Sequence, residues 1–174
     1  MKRRLQILFD NDIALAAYHL PLDANAEVGN NALIARALGA EQVEPFGEHR
    51  GTTIGFLATL PGGGLAIAEL LQQAQSLTQR EPLLLAGGPP LVSRLAIVSG
   101  GGGDYIDEAA RAGAQALLTG EVSERTTAIA RELGVHVIAA GHHATETFGI
   151  KALGERLAAR FGLVQVFLDV PNPV

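Results

Sequence analysis

A histidine and an acidic residue occur twice at the same spacing in this chain. His142 precedes Glu146 by four residues, and His19 precedes Asp23 by four residues. Neutral imidazole and carboxylate are both ligands for a divalent first-row metal. Taken singly, each motif is better explained by a histidine hydrogen-bonded to backbone and a first-turn acid favoured by the helix dipole. The repetition favours a metal site that pools ligands from both motifs.

The residues around His142 predict the structural setting of the second motif along the chain, His142 and Glu146. The apolar run 135–140 is bounded by Gly134 and Gly141 and predicts a buried strand. A helix is predicted behind it, because apolar side chains recur at helical spacing. These side chains are Ile150, Leu153, Leu157 and Phe161. The motif therefore lies where a strand end turns into a helix, which is where ligands bind in α/β sheets.

The first motif has similar neighbours. Residues 13–18 form a short apolar run that predicts a strand ahead of His19. A helix is predicted after Asp23, and Gly39 is placed to end it. We therefore expect a duplicated unit of strand, histidine, acid and helix, whose two copies face each other.

The other segments predict a layered α/β fold. The expected helices include residues 2–9 and 65–75, and residues 43–60 predict a hairpin or meander in which His49 is a solvated loop residue. From residue 91 onward, strands alternate with helices, which is typical of a mostly parallel sheet. The expected strands are 94–99, 114–118, 135–140 and 164–168, after a short strand within 81–90.

Two further features follow strands of this region. Gly100–Gly103 could hold a phosphate with backbone N–H groups. The alternative is a tight turn in which Asp104 is a helix N-cap. The glycine run matches neither the P-loop nor the dinucleotide-binding fingerprint. Glu121 follows the next strand and is either a site residue or a first-turn acid.

Composition narrows the class of protein. The chain has 174 residues, of which 48% are hydrophobic, which fits one domain with a sizeable core. A net charge of −5 without a basic patch disfavours nucleic acid as a partner. No run is long enough for a membrane span, and the first apolar run is too short for a secretory signal. The absence of Cys leaves His and carboxylates as metal ligands. We therefore expect a cytoplasmic protein with a small-molecule partner.

Several stretches resemble one known family. They are YHLPLDANAEVGNNALIARALG (18–39), SGGGGDYIDEAARAGAQALLTGEVSE (99–124), VIAAGHHATETFGIKAL (137–153) and the closing DVPNPV. They are similar to the NIF-three-like proteins, also named GTP cyclohydrolase 1 type 2 homologues. The resemblance implies two intertwined α/β repeats with mostly parallel or mixed sheets, a dinuclear metal centre and a homohexameric ring.

The resemblance also implies roles for individual residues. Asp23, His142 and Glu146 match metal ligands of the family, and His19 matches a histidine beside the metals, for which we expect proton transfer in catalysis. The implied cofactors are one or two divalent ions per chain, chosen from Zn, Fe, Mn and Ni. Family members carry a further N-terminal stretch with an adjacent His pair, so the first repeat is expected to be incomplete here.

These observations lead to one expected organisation and to competing functions. We expect a single domain, with residues 1–60 as the remainder of the first repeat plus a meander, 61–90 as helix and connector, and 91–174 as the second repeat. The first function is a metal-dependent hydrolase acting on a nucleotide or another phosphate-containing small molecule. The alternative is a non-enzymatic metal-binding scaffold, metal carrier or regulatory protein. A third interpretation is a remnant that binds no metal.

Overall fold

The computed structural model describes residues 2–170 and 172–173, which contain eight α-helices and eight β-strands. The helices are α1 (Lys2–Asp10), α2 (Leu20–Asp23), α3 (Asn30–Ala37), α4 (Ile67–Thr78), α5 (Ile106–Arg111), α6 (Thr126–Leu133), α7 (His142–Thr145) and α8 (Thr147–Phe161). The strands are β1 (Gln42–His49), β2 (Thr52–Thr59), β3 (Leu65–Ala66), β4 (Leu83–Leu85), β5 (Leu91–Val92), β6 (Arg94–Val98), β7 (Ala116–Thr119) and β8 (His136–Ala139). Within this part of the chain, no helix is both long and apolar enough to cross a membrane.

Six strands form one mixed sheet in the order β1-β2-β6-β7-β8-β4. The central strands β6, β7 and β8 are parallel, whereas β1, β2 and β4 pair antiparallel with their neighbours. The central strands are short apolar runs because both of their faces are covered. The predicted α/β class with a mostly parallel or mixed sheet is confirmed.

Apolar layers cover both faces of the sheet. Leu95 and Ile97 of β6 point into a layer that includes α3 and α4. Ala96 and Val98 point to the other face, where α5 and α6 pack. This alternation follows from the two-residue period of a strand. The two layers hold the central strands rigidly and so position the loops that leave their carboxyl ends.

Two predicted strands are absent from the described residues. Residues 13–18 have no regular structure and are exposed, and residues 164–168 are likewise irregular. Both have apolar side chains suited to a strand, but neither pairs with a neighbouring backbone in this part of the chain, and an unpaired strand is not stable in water. The first copy of the predicted duplicated unit therefore lacks its strand.

The elements next to the second motif agree better with prediction. β8 and α8 are confirmed, and α8 ends at Gly162, which adopts a left-handed conformation with φ 66°. The apolar stripe of α8 is nevertheless only partly buried, since Leu157 and Phe161 are 42% and 65% exposed. The β1–β2 hairpin predicted within residues 43–60 is also confirmed.

Candidate metal centre

The site forms at the carboxyl ends of the parallel strands, where the following loops are stacked on one another. Gly120 N–H donates to Gly100 O at 2.9 Å, and Gly141 N–H donates to Gly120 O at 2.9 Å. The chain then enters α7, which begins at His142, and Glu146 lies between α7 and α8. The loops after β6, β7 and β8 therefore meet at one edge of the sheet.

The structure brings three of the four predicted site residues into one group. The ligand atoms of His19, Asp23 and Glu146 lie within 4.8 Å of one another. His19 precedes α2 and Asp23 is the last residue of that helix, so one short helix carries both residues of the first motif. These three side chains form a group that can hold a metal ion.

Asp23 is a buried carboxylate, with 6% of its surface exposed. Its Oδ1 accepts hydrogen bonds from Asn30 Nδ2 at 2.7 Å and Ser99 Oγ at 3.2 Å. No Lys or Arg forms an ion pair with Asp23 within residues 2–170 and 172–173. A buried charge needs a partner of opposite sign. This environment fits a bound cation.

Two neighbouring asparagines hold Asp23 and its surroundings. Asn31 is fully buried, donates to Ile54 O at 2.7 Å and accepts from Ser99 N–H at 2.7 Å. Asn30 accepts from Gly149 N–H at 2.6 Å. The start of α3 is thereby joined to β2, to the end of β6 and to α8. Each buried amide is satisfied, so these bonds specify one arrangement of the elements around the site.

His142 lies between two carboxylates. Its Nε2 is 3.2 Å from Glu146 Oε1, and its Nδ1 is 3.2 Å from Glu121 Oε1. Glu121, for which the sequence left two interpretations, therefore contacts a predicted ligand. A carboxylate on one ring nitrogen is the arrangement that orients metal-binding histidines, because a proton held at Nδ1 leaves the lone pair of Nε2 free to bind a cation.

Burial raises the pKa of Glu146 above its ordinary value, and the nearby Asp23 carboxylate raises it further. His142 and His19 act on this pKa in the opposite direction, without cancelling the shift. The positive charge near Glu146 therefore does not offset its burial and its repulsion by Asp23. A divalent cation would supply additional positive charge and favour the ionised form of Glu146.

Gly100 lets the loop after β6 approach the predicted ligands closely. Its φ is +62°, and a Cβ at this position would lie 2.9 Å from His142 Nε2 and closer still to Glu146 Oε1. Its carbonyl accepts from the N–H groups of Gly120 and Glu121 at 2.9 and 3.0 Å. The glycine run thus has a clear packing role beside the ligands, and phosphate binding by this loop stays a prediction.

The N-cap interpretation of Asp104 is wrong. No side-chain cap is present at the 3₁₀ turn Gly102–Tyr105 or at α5, which follows it. Asp104 Oδ1 instead lies 2.7 Å from Arg125 Nη2 in an exposed ion pair. The 3₁₀ turn begins at Gly102 with Gly101 at its N-cap position, so Asp104 lies inside the turn rather than at its start.

A cavity of about 460 Å³ opens beside these residues. His19, Asp23, His142 and Glu146 all line it. His49 and Tyr105 line the same cavity and were missed by the sequence analysis, which placed His49 in a solvated loop. His49 is instead the last residue of β1 and is half-buried. No local signal marks it, because only the packing of the hairpin against the loop after β6 brings it there.

The chain matches the family model described as Duf34/NIF3 (NGG1p interacting factor 3) over residues 1–173. A Pseudomonas aeruginosa protein named GTP cyclohydrolase 1 type 2 homolog is 47% identical over 172 residues, which cover 99% of this chain and 68% of that relative. An Escherichia coli K12 protein of the same name is 46% identical over 181 residues, with coverage of 99% and 68%.

Solved structures show the same fold. The protein ybgI, of unknown function, aligns with a TM-score of 0.89 at 44% identity, covering 98% of this chain and 67% of that chain. TTHA1606 from Thermus thermophilus aligns with a TM-score of 0.87 at 39% identity, covering 99% and 67%. Reduced HcgD from Methanocaldococcus jannaschii aligns with a TM-score of 0.78 at 27% identity, covering 93% and 63%.

Proposed function

The chain belongs to the Duf34/NIF3 family, and on that premise we propose that it binds divalent metal ions and hydrolyses a small molecule in the cavity. The observation that carries the proposal is the convergence of His19, Asp23 and Glu146 within 4.8 Å beside that cavity. His and carboxylate ligands suit Zn, Fe, Mn or Ni, and one or two ions per chain are proposed. The volume of the cavity falls within the range of small-molecule sites.

Each residue has a proposed task. By resemblance to the family we propose Asp23, His142 and Glu146 as the metal ligands, with Asp23 fixed by its two hydrogen bonds and His142 by Glu121. The ligand atom of His19 lies with those of Asp23 and Glu146, which places this histidine beside the metal. A divalent ion held there would supply positive charge, which lowers the pKa of water and polarises a carbonyl or phosphoryl oxygen. His19 is exposed, so its imidazole can exchange protons between the cavity and solvent.

The proposed substrate is a nucleotide or another phosphate-containing small molecule. The support is the name GTP cyclohydrolase 1 type 2 homolog borne by the relatives. No Lys or Arg of the described residues lines the cavity. A phosphate would therefore contact histidines, backbone N–H groups of the glycine loop or the metal itself, rather than a cationic side chain.

We also propose that the chain forms a homo-oligomer, a hexamer by resemblance to the family. Exposed apolar side chains support this, because large apolar patches mark interaction surfaces. They lie on α8 and in the segment after it, and include Leu157, Phe161, Leu163, Val166 and Leu168. Light scattering tests the assembly, and a stable monomer would contradict it.

The experiment for the proposed function begins with metal content. Protein purified without chelator or metal-affinity resin is analysed by mass spectrometry, beside Asp23→Asn and the exposed control Asp107→Asn. Asp23→Asn keeps an oxygen for the hydrogen bonds from Asn30 and Ser99 but removes the charge. We expect about one or two equivalents of metal in wild type and in the control, and loss of metal in Asp23→Asn.

Turnover is then measured on a nucleotide panel with Zn²⁺, Mn²⁺, Fe²⁺ or Ni²⁺ added. Hydrolysis that disappears in Asp23→Asn but not in Asp107→Asn supports the hydrolase. Metal binding without turnover supports the non-enzymatic scaffold or carrier, and a protein that never binds metal contradicts both. His19→Gln separates two roles for His19: turnover lost with metal retained indicates proton transfer, whereas loss of both indicates a ligand.

A further inference from the structure

A second pair of polar side chains lines the cavity outside the proposed metal group. The hydroxyl of Tyr105 lies 3.5 Å from Nδ1 of His49. Both residues line the same cavity as His19, Asp23 and Glu146, but neither belongs to that group. The proposed metal binding and proton transfer do not use them. A polar pair that faces a ligand cavity and has no role in the metal group is a place where a ligand can be recognised.

The pair is held firmly from two sides. The ring of Phe46 packs edge-on against Tyr105, with centroids 6.4 Å apart and an interplanar angle of 63°. The carboxylate of Glu108 on α5 accepts from Gly47 N–H at 3.2 Å and Glu48 N–H at 3.3 Å. The end of β1 is thus tied to the helix that follows Tyr105. Rigid support of this kind reduces the conformational entropy that a side chain loses when it binds a ligand.

The chemistry of the pair selects the kind of ligand atom it binds. Burial raises the pKa of Tyr105, and the carboxylates of Glu108 and Glu48 raise it further, so the phenol stays protonated and can donate to His49 Nδ1. A neutral imidazole that accepts at Nδ1 carries its proton on Nε2. Nε2 has no hydrogen bond within the part of the chain that the structure describes. In the tautomer in which Nδ1 accepts from the Tyr105 hydroxyl, Nε2 is therefore available as a donor.

The walls next to the pair are apolar. Leu20, Ile54 and Val98 line the cavity together with the ring of Tyr105. A ligand that reaches from the metal group to His49 would lay an apolar or aromatic body against these side chains. Its far end would carry the acceptor that the Nε2–H of His49 requires.

We propose that His49, oriented by Tyr105, is a substrate-binding residue that donates a hydrogen bond to a carbonyl oxygen or ring nitrogen on the part of the substrate that does not touch the metal. The substrate class is a small molecule with an apolar or aromatic body and one such acceptor. This inference rests on the proposed function only for the end of the substrate that binds the metal. The pairing of His49 with Tyr105 does not depend on it.

The test uses hydroxamates, which chelate divalent metals through one end. Acetohydroxamate probes the metal group alone, benzohydroxamate adds a ring, and the 3- and 4-carbamoyl benzohydroxamates add an acceptor to that ring. We expect one of the carbamoyl compounds to bind metal-loaded wild type about fivefold more tightly than benzohydroxamate, the effect of one net hydrogen bond. His49→Phe abolishes this gain, and Tyr105→Phe reduces it.

Two variants separate binding from a structural role. His49→Gln keeps an N–H donor near the position of Nε2 and should preserve the gain. Tyr18→Phe removes a hydroxyl from an exposed tyrosine outside the cavity and should leave every affinity unchanged. Acetohydroxamate should bind all variants equally. The proposal is wrong if neither carbamoyl compound gains affinity, or if the gain survives in His49→Phe.

A parallel measurement needs no metal. Benzamide carries the same acceptor without the chelating group, and we titrate it into the metal-free protein while observing the His49 ring nitrogens by NMR. A shift of the Nε2 resonance with benzamide, but not with toluene, supports the proposal even if the protein binds no metal and the proposed function fails. The absence of any shift in metal-free protein, together with equal hydroxamate affinities, refutes the proposal while leaving the metal group intact.

Discussion

Substitution of Gly100 by alanine can separate an effect on metal binding from an effect on the stability of the fold. A methyl group at this position would point at His142 Nε2, 2.9 Å away, and at the Glu146 carboxylate. Gly113 after α5 is a matched control, because its φ is +76° against +62° for Gly100 and nothing lies within 4 Å of its added Cβ. Gly100→Ala and Gly113→Ala therefore share the backbone strain, and only the first disturbs the proposed ligands.

The expected sizes of the two effects follow from this geometry. An alanine in the left-handed region costs roughly 1–2 kcal/mol, so both variants should lose about this much free energy of unfolding. Ordinary contact begins at 3.4 Å, so in Gly100→Ala the nearest atom, Glu146 Oε1 at 2.3 Å, must move by about 1.1 Å, and His142 Nε2 at 2.9 Å must move by about 0.5 Å. Metal–ligand distances tolerate only about 0.2 Å. We therefore expect about 10- to 100-fold weaker metal binding.

The assay measures both quantities on the same preparations. Urea unfolding of metal-free protein gives the free energy of unfolding, and competition with a chromophoric chelator gives the Zn²⁺ affinity. We expect Gly113→Ala to bind Zn²⁺ like wild type and Gly100→Ala to bind it at least about tenfold more weakly, with similar losses of stability. Equal Zn²⁺ affinity in the two variants would refute the view that the loop after β6 holds His142 and Glu146 in a binding geometry.

Three further outcomes test other parts of the site. Glu121→Gln should weaken Zn²⁺ binding by roughly 10-fold, because His142 loses the carboxylate at Nδ1. The exposed control Glu124→Gln should leave Zn²⁺ binding unchanged. Equal Zn²⁺ affinities of the two variants in a chelator competition would contradict the role of Glu121 in orienting His142. In the folded metal-free protein the pKa of Glu146 is raised above its ordinary value of 4.5, so the protonated carboxyl group favours the folded state. This stabilisation is complete below pH 4.5 and is lost as the pH rises through the raised pKa. Glu146→Gln should remove that loss, and unfolding curves that fall as steeply with pH as those of wild type would contradict it. Asn31→Leu should lower the free energy of unfolding by at least about 2 kcal/mol, because Ser99 N–H and Ile54 O both become buried without a partner; a change as small as that of the exposed Asn11→Ala in urea unfolding would exclude this bracing role.

Local pattern was sufficient to predict the second motif and its setting. The apolar run that became β8, the turn at Gly141 and the helix that ends at Gly162 all depend on residues close in sequence. The same reasoning failed for residues 13–18 and 164–168, which carry strand-like side chains but are exposed and unpaired among the described residues. A strand exists only where a neighbouring backbone pairs with it, and local sequence does not contain that information.

In the candidate site, too, local sequence predicted some residues, and tertiary packing determined the others. The spacing of His19 with Asp23 and of His142 with Glu146 predicted residues that the structure brings to one cavity. His49 was placed in solvent because its sequence neighbours are polar, yet packing of the β1–β2 hairpin against Tyr105 turns it toward the cavity. Glu121 could not be assigned either, since its contact with His142 depends on two parallel strands ending side by side.

The hydrogen bonds around Asp23 have a consequence for the order of folding. Ser99 and Asp23 are 76 positions apart, and Gly149 and Asn30 are 119 positions apart, so these bonds close very long loops. Closing loops of this length costs entropy before the contacts form, so we expect the two halves of the site to meet late in folding. An ion that needs both halves would bind the native protein and not the unfolded chain. At 100 times its Kd it would add about 2.7 kcal/mol to the free energy of unfolding. Release of the ion and loss of the fold would then be coupled, and the melting temperature would report the free metal concentration around the protein.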